Sequence, residues 1–174
     1  MKKLVDFTAW YADRKRIEKE CEERCACASE FKKLVEAQTE EDWVAIIQTN
    51  FNWVCGRNID GIHKIVESAR GFQEGFAAVR DFPSGLWGFL KSDGTMLTEF
   101  QFAYARDFQE GFATVEDSSS GLWGFLKSDG TMLTGFQFWA VFGFQEGFAG
   151  VQNVKGGAWG WINARGEYTL TKED

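Results

Sequence analysis

The sequence predicts an α+β fold in which an N-terminal helical hairpin precedes an open array of three-stranded antiparallel β-meander repeats. Three observations lead to this prediction: residues 1–56 place apolar side chains at helical spacings, residues 71–174 repeat every 36 residues, and the chain is rich in aromatic residues and glycine. The 174 residues include 17 Phe, 8 Trp and 19 Gly. Large flat side chains favour strands, and glycine favours the tight turns between them.

The first part of the chain carries two predicted helices. Between residues 10 and 35, apolar residues recur at spacings of three, four and seven, which places them on one helical face. A capping sequence at Thr39–Asp42 precedes a second apolar stripe at Trp43–Val54, and Gly56 is a natural helix end. An antiparallel hairpin of these two helices over residues 1–56 still needs another surface to pack against.

Three copies of one unit make up most of the remaining chain. A shift of 36 residues aligns three Trp-Gly pairs, and 24 of 30 residues are identical between 71–100 and 107–136. The third copy, 143–172, retains 12 of the 30. A constant period of this kind indicates units that bury their faces against their neighbours. The expected boundaries are 1–56 for the helical cap, 57–70 for a connector or degenerate half-repeat, 71–106 and 107–142 for the first two repeats, and 143–174 for the third repeat, which ends in a polar C-terminal cap.

The repeated segments also resemble a known family. Each unit contains Phe-Gln-Glu-Gly-Phe-Ala-x-Val, and the first two continue into Gly-Leu-Trp-Gly-Phe-Leu-Lys-Ser-Asp-Gly. With these elements in register, residues 71–174 resemble the WG (also called KWG) repeat family of bacterial β-repeat proteins. Two departures are Leu or Ala before the Trp, where the family often has Lys, and Asn-Ala-Arg-Gly at 163–166. The resemblance implies a structural or interaction repeat and transfers no catalytic site.

Turn residues divide the first unit into three strands. Phe76–Arg80, Leu86–Lys91 and Thr95–Phe102 are expected as strands, and residues 103–111 as the return connection. Both faces of the middle strand are apolar, so each meander should be covered on both sides. Three copies are few for a closed propeller, so an open twisted array is preferred to the alternative of a propeller-like closed array.

Three sets of residues in the repeats are expected to be structural. The tryptophans should join phenylalanines in a shared interior, the strand glycines should let a neighbouring chain lie directly on the sheet, and the hairpin glycines should supply a positive φ. These residues are Trp87, Trp123, Trp159, Gly88, Gly124, Gly160, Gly94, Gly130 and Gly166.

The cysteines suggest a metal site only weakly. Cys21, Cys25 and Cys27 lie close together, with Cys55 and His63 downstream. Their spacing differs from the Cys-x-x-Cys knuckle of structural zinc sites, and no second matching half is present. Cysteine also packs as a small apolar residue, so we expect packing cysteines and no metal.

Charge and hydropathy limit the partners and the location. The formal net charge of −7 leaves no basic stripe for nucleic acid, which an acidic surface repels. No apolar run reaches the length of a membrane span. The first residues, Met-Lys-Lys, resemble the start of a signal peptide, but Asp6 interrupts the apolar region that should follow. We therefore expect a cytoplasmic protein with reduced cysteines, no nucleic-acid partner and no membrane partner.

The catalytic residue types point to a binding role rather than an enzyme. The chain has one histidine, and Glu74, Glu110 and Glu146 recur in a Glu-Gly turn that the repeat itself explains. No catalytic residue and no cofactor is expected. The predicted function is a protein–protein interaction or scaffolding module with an unidentified protein partner, including self-association through open strand edges. Carbohydrate or small-ligand binding through exposed aromatic residues is the alternative.

Candidate partner contacts are the positions at which the first two repeats differ. They include Arg80, Phe82, Glu99 and Glu116. Surface drift without a function accounts for the same differences and is the favoured interpretation.

Overall fold

Helices precede a continuous run of antiparallel strands. The computed structural model describes residues 4–24, 28–56 and 66–170. The strands form an array that does not close into a barrel, so the predicted α+β architecture is confirmed. Several predicted features lie outside the described residues: Cys25, Cys27, His63, the connector residues 57–65 and the polar end at 171–174.

Five helical segments cover the described N-terminal residues and divide them more finely than the predicted hairpin. Asp13 separates the first two, and its N–H donates to the carbonyl of Ala9. The Thr39 hydroxyl accepts a hydrogen bond from the amide of Asp42 at 3.1 Å and so caps the fourth helix. None of these segments is long and apolar enough to cross a membrane. The helices are α1 (Phe7–Ala12), α2 (Arg14–Glu23), α3 (Ala28–Glu36), α4 (Glu40–Thr49) and α5 (Phe51–Gly56).

Within residues 66–170 the chain forms two sheets in which every pair of neighbouring strands is antiparallel. The first seven strands pair in chain order, and the last four form a second sheet in the order β11-β10-β9-β8. The strands are β1 (Val66–Ala69), β2 (Phe76–Asp81), β3 (Trp87–Lys91), β4 (Met96–Ala105), β5 (Phe112–Asp117), β6 (Trp123–Lys127), β7 (Met132–Phe138), β8 (Ala140–Val141), β9 (Phe148–Gln152), β10 (Trp159–Asn163) and β11 (Tyr168–Leu170).

The third strand of the first repeat is longer than predicted and joins two repeats. The first half of β4 pairs with β3 and its end pairs with β5, so that Phe102 lies opposite both Trp87 and Asp117. The predicted connection after Phe102 is therefore wrong for residues 103–105, which belong to β4. The register shifts along both pairings, and such irregularities bend a strand enough to reach the next repeat.

β1 takes the same place one repeat earlier. Val66 lies opposite Asp81, just as Phe102 lies opposite Asp117 36 residues later. β1 therefore occupies the position that the end of a degenerate half-repeat would take.

Phenylalanine rings, rather than indoles, form the interior between repeats. Phe89 and Phe125 are fully buried, whereas Trp87, Trp123 and Trp159 are half-buried at the border of the interior. The expectation that indole and phenyl rings share the interior is therefore wrong for the indoles, which are only half-buried. Strand alternation gives Trp87 and Phe89 the same direction, but each tryptophan is the first residue of its strand and so lies at the edge.

The repeated glycines lie at tight turns and close contacts. The hairpin glycines Gly94, Gly130 and Gly166 have φ values of 83°, 85° and 81°, the left-handed region that favours glycine. The strand glycines lie against the backbone of the third strand. A Cβ on Gly88, Gly124 or Gly160 would approach a carbonyl oxygen of that strand to 2.9, 3.0 or 2.7 Å.

The helices cover the starting side of the array. Trp43 and Phe51 are buried in one cluster with Ala77 of the first repeat. The amide of Leu4 donates to the carbonyl of Gly94 at 2.8 Å, which ties the N-terminal segment to the first hairpin. The apolar stripe of the helices thereby finds the surface that it needs.

Candidate functional site

Consecutive repeats pack face to face, so each repeat has one side that the following repeat covers. In the first interface, Ala78 and Phe89 share a buried cluster with Ala113, Val115 and Leu126 of the second repeat. The second interface has the same arrangement 36 residues later, around Phe125, Ala149, Val151 and Ile162. The covered side of a repeat thus carries aromatic rings, and the covering repeat supplies small and aliphatic side chains.

A phenylalanine of the following repeat stacks on this side. The ring centroid of Phe108 lies 4.4 Å from that of Phe76 and 5.0 Å from that of Phe89. The second interface has the same two contacts at 4.2 and 5.3 Å, made by Phe144 with Phe112 and with Phe125. The contacts at 5.0 and 5.3 Å lie in the range of favourable aromatic pairs, and those at 4.4 and 4.2 Å are slightly closer.

A carboxylate also links each repeat to the next. The two oxygens of Glu74 accept hydrogen bonds from the amides of Glu110 and Gly111 at 2.7 and 2.8 Å. Glu110 binds the amides of Glu146 and Gly147 at the same two distances. The residues of these turns have positive φ values, and successive amides in such a turn converge on an anion. The recurring Glu-Gly pair is therefore an inter-repeat contact as well as a turn.

Replacing Glu110 by Gln should lower the free energy of unfolding by about 1 kcal/mol, because a carboxylate accepting two amides becomes a neutral amide that can accept only with its oxygen. Urea denaturation measures the change. Glu146→Gln is the matched control, since its carboxylate has no hydrogen-bond partner among the described residues and its backbone has the same φ of 53°. Equal losses in the two variants would contradict the inter-repeat role of Glu110.

The third repeat presents the corresponding side without a following repeat among the described residues. Three large aromatic side chains are exposed there: Phe142, Phe148 and Trp161, with exposed fractions of 59%, 51% and 52%. Together with Glu146 and Gly150 they line an open groove of about 860 Å³. We call this surface, defined by these five residues, the terminal face.

The half-buried tryptophans form a second row of aromatic residues, but their own neighbours cover them. The guanidinium of Arg70 lies over the rings of Trp87 and Tyr104 at 5.6 and 5.5 Å, and that of Arg106 lies 4.7 Å from Trp123. Phe142, which directly precedes the third repeat, takes the place of the arginine and stacks on Trp159 at 4.6 Å. Cations and rings of the chain itself therefore occupy the positions that a ligand would take.

Asp107 is the carboxyl of this row whose ionisation is perturbed. Burial raises the pKa of Asp107 above its ordinary value, and the guanidinium of Arg70, 3.6 Å away, opposes this shift. Its Oδ1 is buried and has no hydrogen-bond partner among the described residues. The carboxyl therefore forms an ion pair with Arg70 between the first and second repeats.

Among the described residues, no contact brings the four predicted partner-binding residues together on one surface. Arg80 is engaged by neighbouring residues, since it donates to the carbonyl of Gly85 at 2.8 Å and pairs with Glu67 of β1 at 3.4 Å. Phe82 is 55% exposed, and Glu99 is exposed on the third strand. Glu116 is half-buried opposite Trp123 and Tyr104. These four residues remain candidate contacts.

The described cysteines are packing residues of the helical part. Cys21 and Cys55 are free and buried. Burial raises the pKa of Cys21 to about 11, with a smaller contribution from the carboxylate of Glu20, and burial alone raises the pKa of Cys55 to about 12. In the part of the chain that the structure describes, no three His, Cys, Asp or Glu residues form a group suited to a metal ion.

Both described thiols should resist alkylation in the folded protein. Because a thiolate is the nucleophile and burial raises the pKa to about 11 for Cys21 and about 12 for Cys55, labelling by iodoacetamide at pH 8 should be about 100-fold slower than in urea, or slower still. Peptide mapping by mass spectrometry separates Cys21 and Cys55 from the other cysteines. Fast labelling of either residue without urea would contradict its buried position.

Sequence reasoning identified the repeats but not the terminal face. The third copy has Trp161 where the other copies have Phe89 and Phe125, and Phe142 where they have Arg70 and Arg106. These replacements were visible in the sequence. Their meaning depends on which side of a repeat the next repeat covers, and that follows only from the packing.

Comparison with known families agrees with the repeated geometry. Residues 87–117 and 123–156 match the family described as WG containing repeat. The two matched segments begin at Trp87 and Trp123, the residues that the 36-residue period brings together. The chain thus carries at least two adjacent WG repeats. No curated protein and no solved structure matches the chain.

Proposed function

We propose that this WG-repeat chain is a non-enzymatic interaction module that binds a protein partner through the terminal face of its third repeat. The observation that carries the proposal is the grouping of Phe142, Phe148 and Trp161, each more than half exposed, around one groove. Contiguous exposed apolar patches are uncommon on proteins that act alone and mark interaction surfaces.

The residue types of the terminal face also favour a protein partner. Tryptophan and other aromatic side chains dominate the energetics of protein interfaces because they bury much area with few rotatable bonds. Polar groups surround them, since Asn163, Glu167 and Thr169 line the same groove. A central aromatic cluster with a polar rim is the usual anatomy of a specific interface.

The test compares variants of the full chain as immobilised baits in a lysate of the source organism. Trp161→Ser removes the largest ring of the terminal face, whereas Trp139→Ala removes an exposed indole that does not line the groove. The first repeat already has Ala103 at the position of Trp139, so this control is compatible with the fold. We expect a partner that the unaltered chain and Trp139→Ala recover and that Trp161→Ser loses. Recovery that does not depend on Trp161, or a strictly monomeric chain that recovers no partner, would overturn the proposal.

Binding of a carbohydrate or another small ligand remains the second candidate. The observation that favours it is the position of Trp161, half exposed opposite Thr169 in the strand pairing, in a groove that Glu167 and Asn163 also line. Titration with sugars should then change the tryptophan emission of the unaltered chain but not of Trp161→Phe. An emission spectrum that no sugar changes favours the protein partner.

A further inference from the structure

We infer that the terminal face receives a Phe-x-Glu-Gly turn and its following strand from the first, uncapped repeat of another WG-repeat polypeptide. This inference rests on the proposed function and names the partner. Its basis is that the chain contains two complete examples of the same interface, one between the first and second repeats and one between the second and third.

The first requirement on the partner is an aromatic ring. In both internal interfaces, a phenylalanine of the incoming repeat stacks on the phenylalanine that begins the first strand, at 4.4 and 4.2 Å. Phe148 begins the first strand of the third repeat and is 51% exposed. Trp161 stands where the second contact is made, with a larger ring than Phe89 or Phe125. The rings on which an incoming phenylalanine would pack are thus present and exposed.

The second requirement is a pair of adjacent amides in a left-handed turn. Glu74 and Glu110 each hold two such amides of the next repeat with both carboxylate oxygens. Glu146 is the third member of this series, and its carboxylate has no partner among the described residues. A Glu-Gly turn supplies the two amides at the required place, because glycine tolerates the positive φ of the second residue.

The third requirement distinguishes the partner from a copy of the internal repeats. Arg106 donates to the carbonyl of Val141 at 2.9 Å and so reaches into the following repeat. Phe142 replaces this arginine at the terminal face, and its side chain has no group that donates a hydrogen bond. The partner therefore needs an apolar surface opposite Phe142.

A second copy of this chain does not meet these requirements without rearrangement. The side of its first repeat that would cover a terminal face includes Ala77 and Leu90, and both are buried beneath helices in a cluster with Trp43 and Phe51. The helices would have to detach from the first repeat before that side could bind a terminal face. The partner is accordingly a chain whose first repeat lacks such a cover.

The experiment uses the full chain and a synthetic peptide with the sequence of residues 107–128, in which benzoylphenylalanine replaces Phe108. Irradiation should link the peptide to the terminal face, with attachment mapped by mass spectrometry to the segment 142–163. The control peptide also carries Gly111→Val, which disfavours the left-handed turn at φ 81°. Glu146→Gln in the full chain removes the charge that binds the two amides. We expect each change to reduce capture about tenfold, and Trp139→Ala to leave it unchanged.

The outcomes separate this inference from the proposed function. Equal capture of both peptides, or attachment spread outside 142–163, overturns the inference. If the peptide is not captured while a natural partner still depends on Trp161, the proposed function holds and the Phe-x-Glu-Gly occupant is wrong. A dimer of the unaltered chain that Trp161→Ser dissociates would assign the terminal face to a second copy and likewise overturn the inference.

Discussion

Phe125→Ala should lower the free energy of unfolding by about 3–5 kcal/mol, the usual cost of removing a fully buried phenylalanine ring. The ring is 0% exposed and contacts Phe138 and Phe144 at centroid distances of 6.1 and 5.3 Å. Its removal leaves a cavity between the second and third repeats, which the close-packed sheets cannot fill by relaxing. Urea denaturation followed by tryptophan emission measures the loss.

Two control variants test whether burial decides the result. Phe148→Ala removes the same ring from a position that is 51% exposed, and we expect a loss below about 1 kcal/mol. Trp123→Ala should cost about 1–2 kcal/mol, because only part of the indole leaves water on folding. If Trp123→Ala proved as costly as Phe125→Ala, the tryptophans would belong to the interior after all.

The order of the strands followed from the sequence because the period carried most of the information. Near-identical copies at a fixed spacing must adopt nearly the same local structure, and the Asp-Gly hairpins fix the antiparallel connection between middle and third strands. The extent of the third strand did not follow. Residues 103–105 gain their strand conformation from pairing with the next repeat. The residue types at Ala103 and Ala105 do not predict that pairing.

The break between the first two helices was likewise not predictable from the sequence. Its apolar stripe indicated helices correctly, but a stripe at helical spacing continues across a short break, so the separation at Asp13 was not visible in the period. The terminal face was harder still to predict, because it depends on packing between repeats and not on the residue type at each position. Phe148 has the same residue type as Phe76 and Phe112, and only the absence of a described stacking partner makes it part of an interaction surface.

The strand glycines allow a close approach of the third strand to the middle strand, so Gly88→Ala should cost about 1–3 kcal/mol through overpacking. A Cβ at Gly88 would lie 2.9 Å from the carbonyl oxygen of Glu99 and 3.1 Å from that of Thr98. Both atoms belong to the first half of β4, which pairs with β3, and the pairing of the end of β4 with β5 limits how far this strand can move. The midpoint of urea denaturation measures the loss.

Gly135→Ala supplies the matched control for this prediction. Nothing lies within 4 Å of a Cβ at Gly135, and the first repeat has Glu99 at the same position. The change should leave stability unchanged or raise it by up to about 1 kcal/mol, because alanine loses less backbone entropy than glycine on folding. Harmless substitution at both glycines would mean that β3 and β4 lie further apart than the contacts of Gly88 require. A loss at Gly88 alone identifies close backbone approach, rather than a general need for glycine in these strands, as the reason for its place in the repeat.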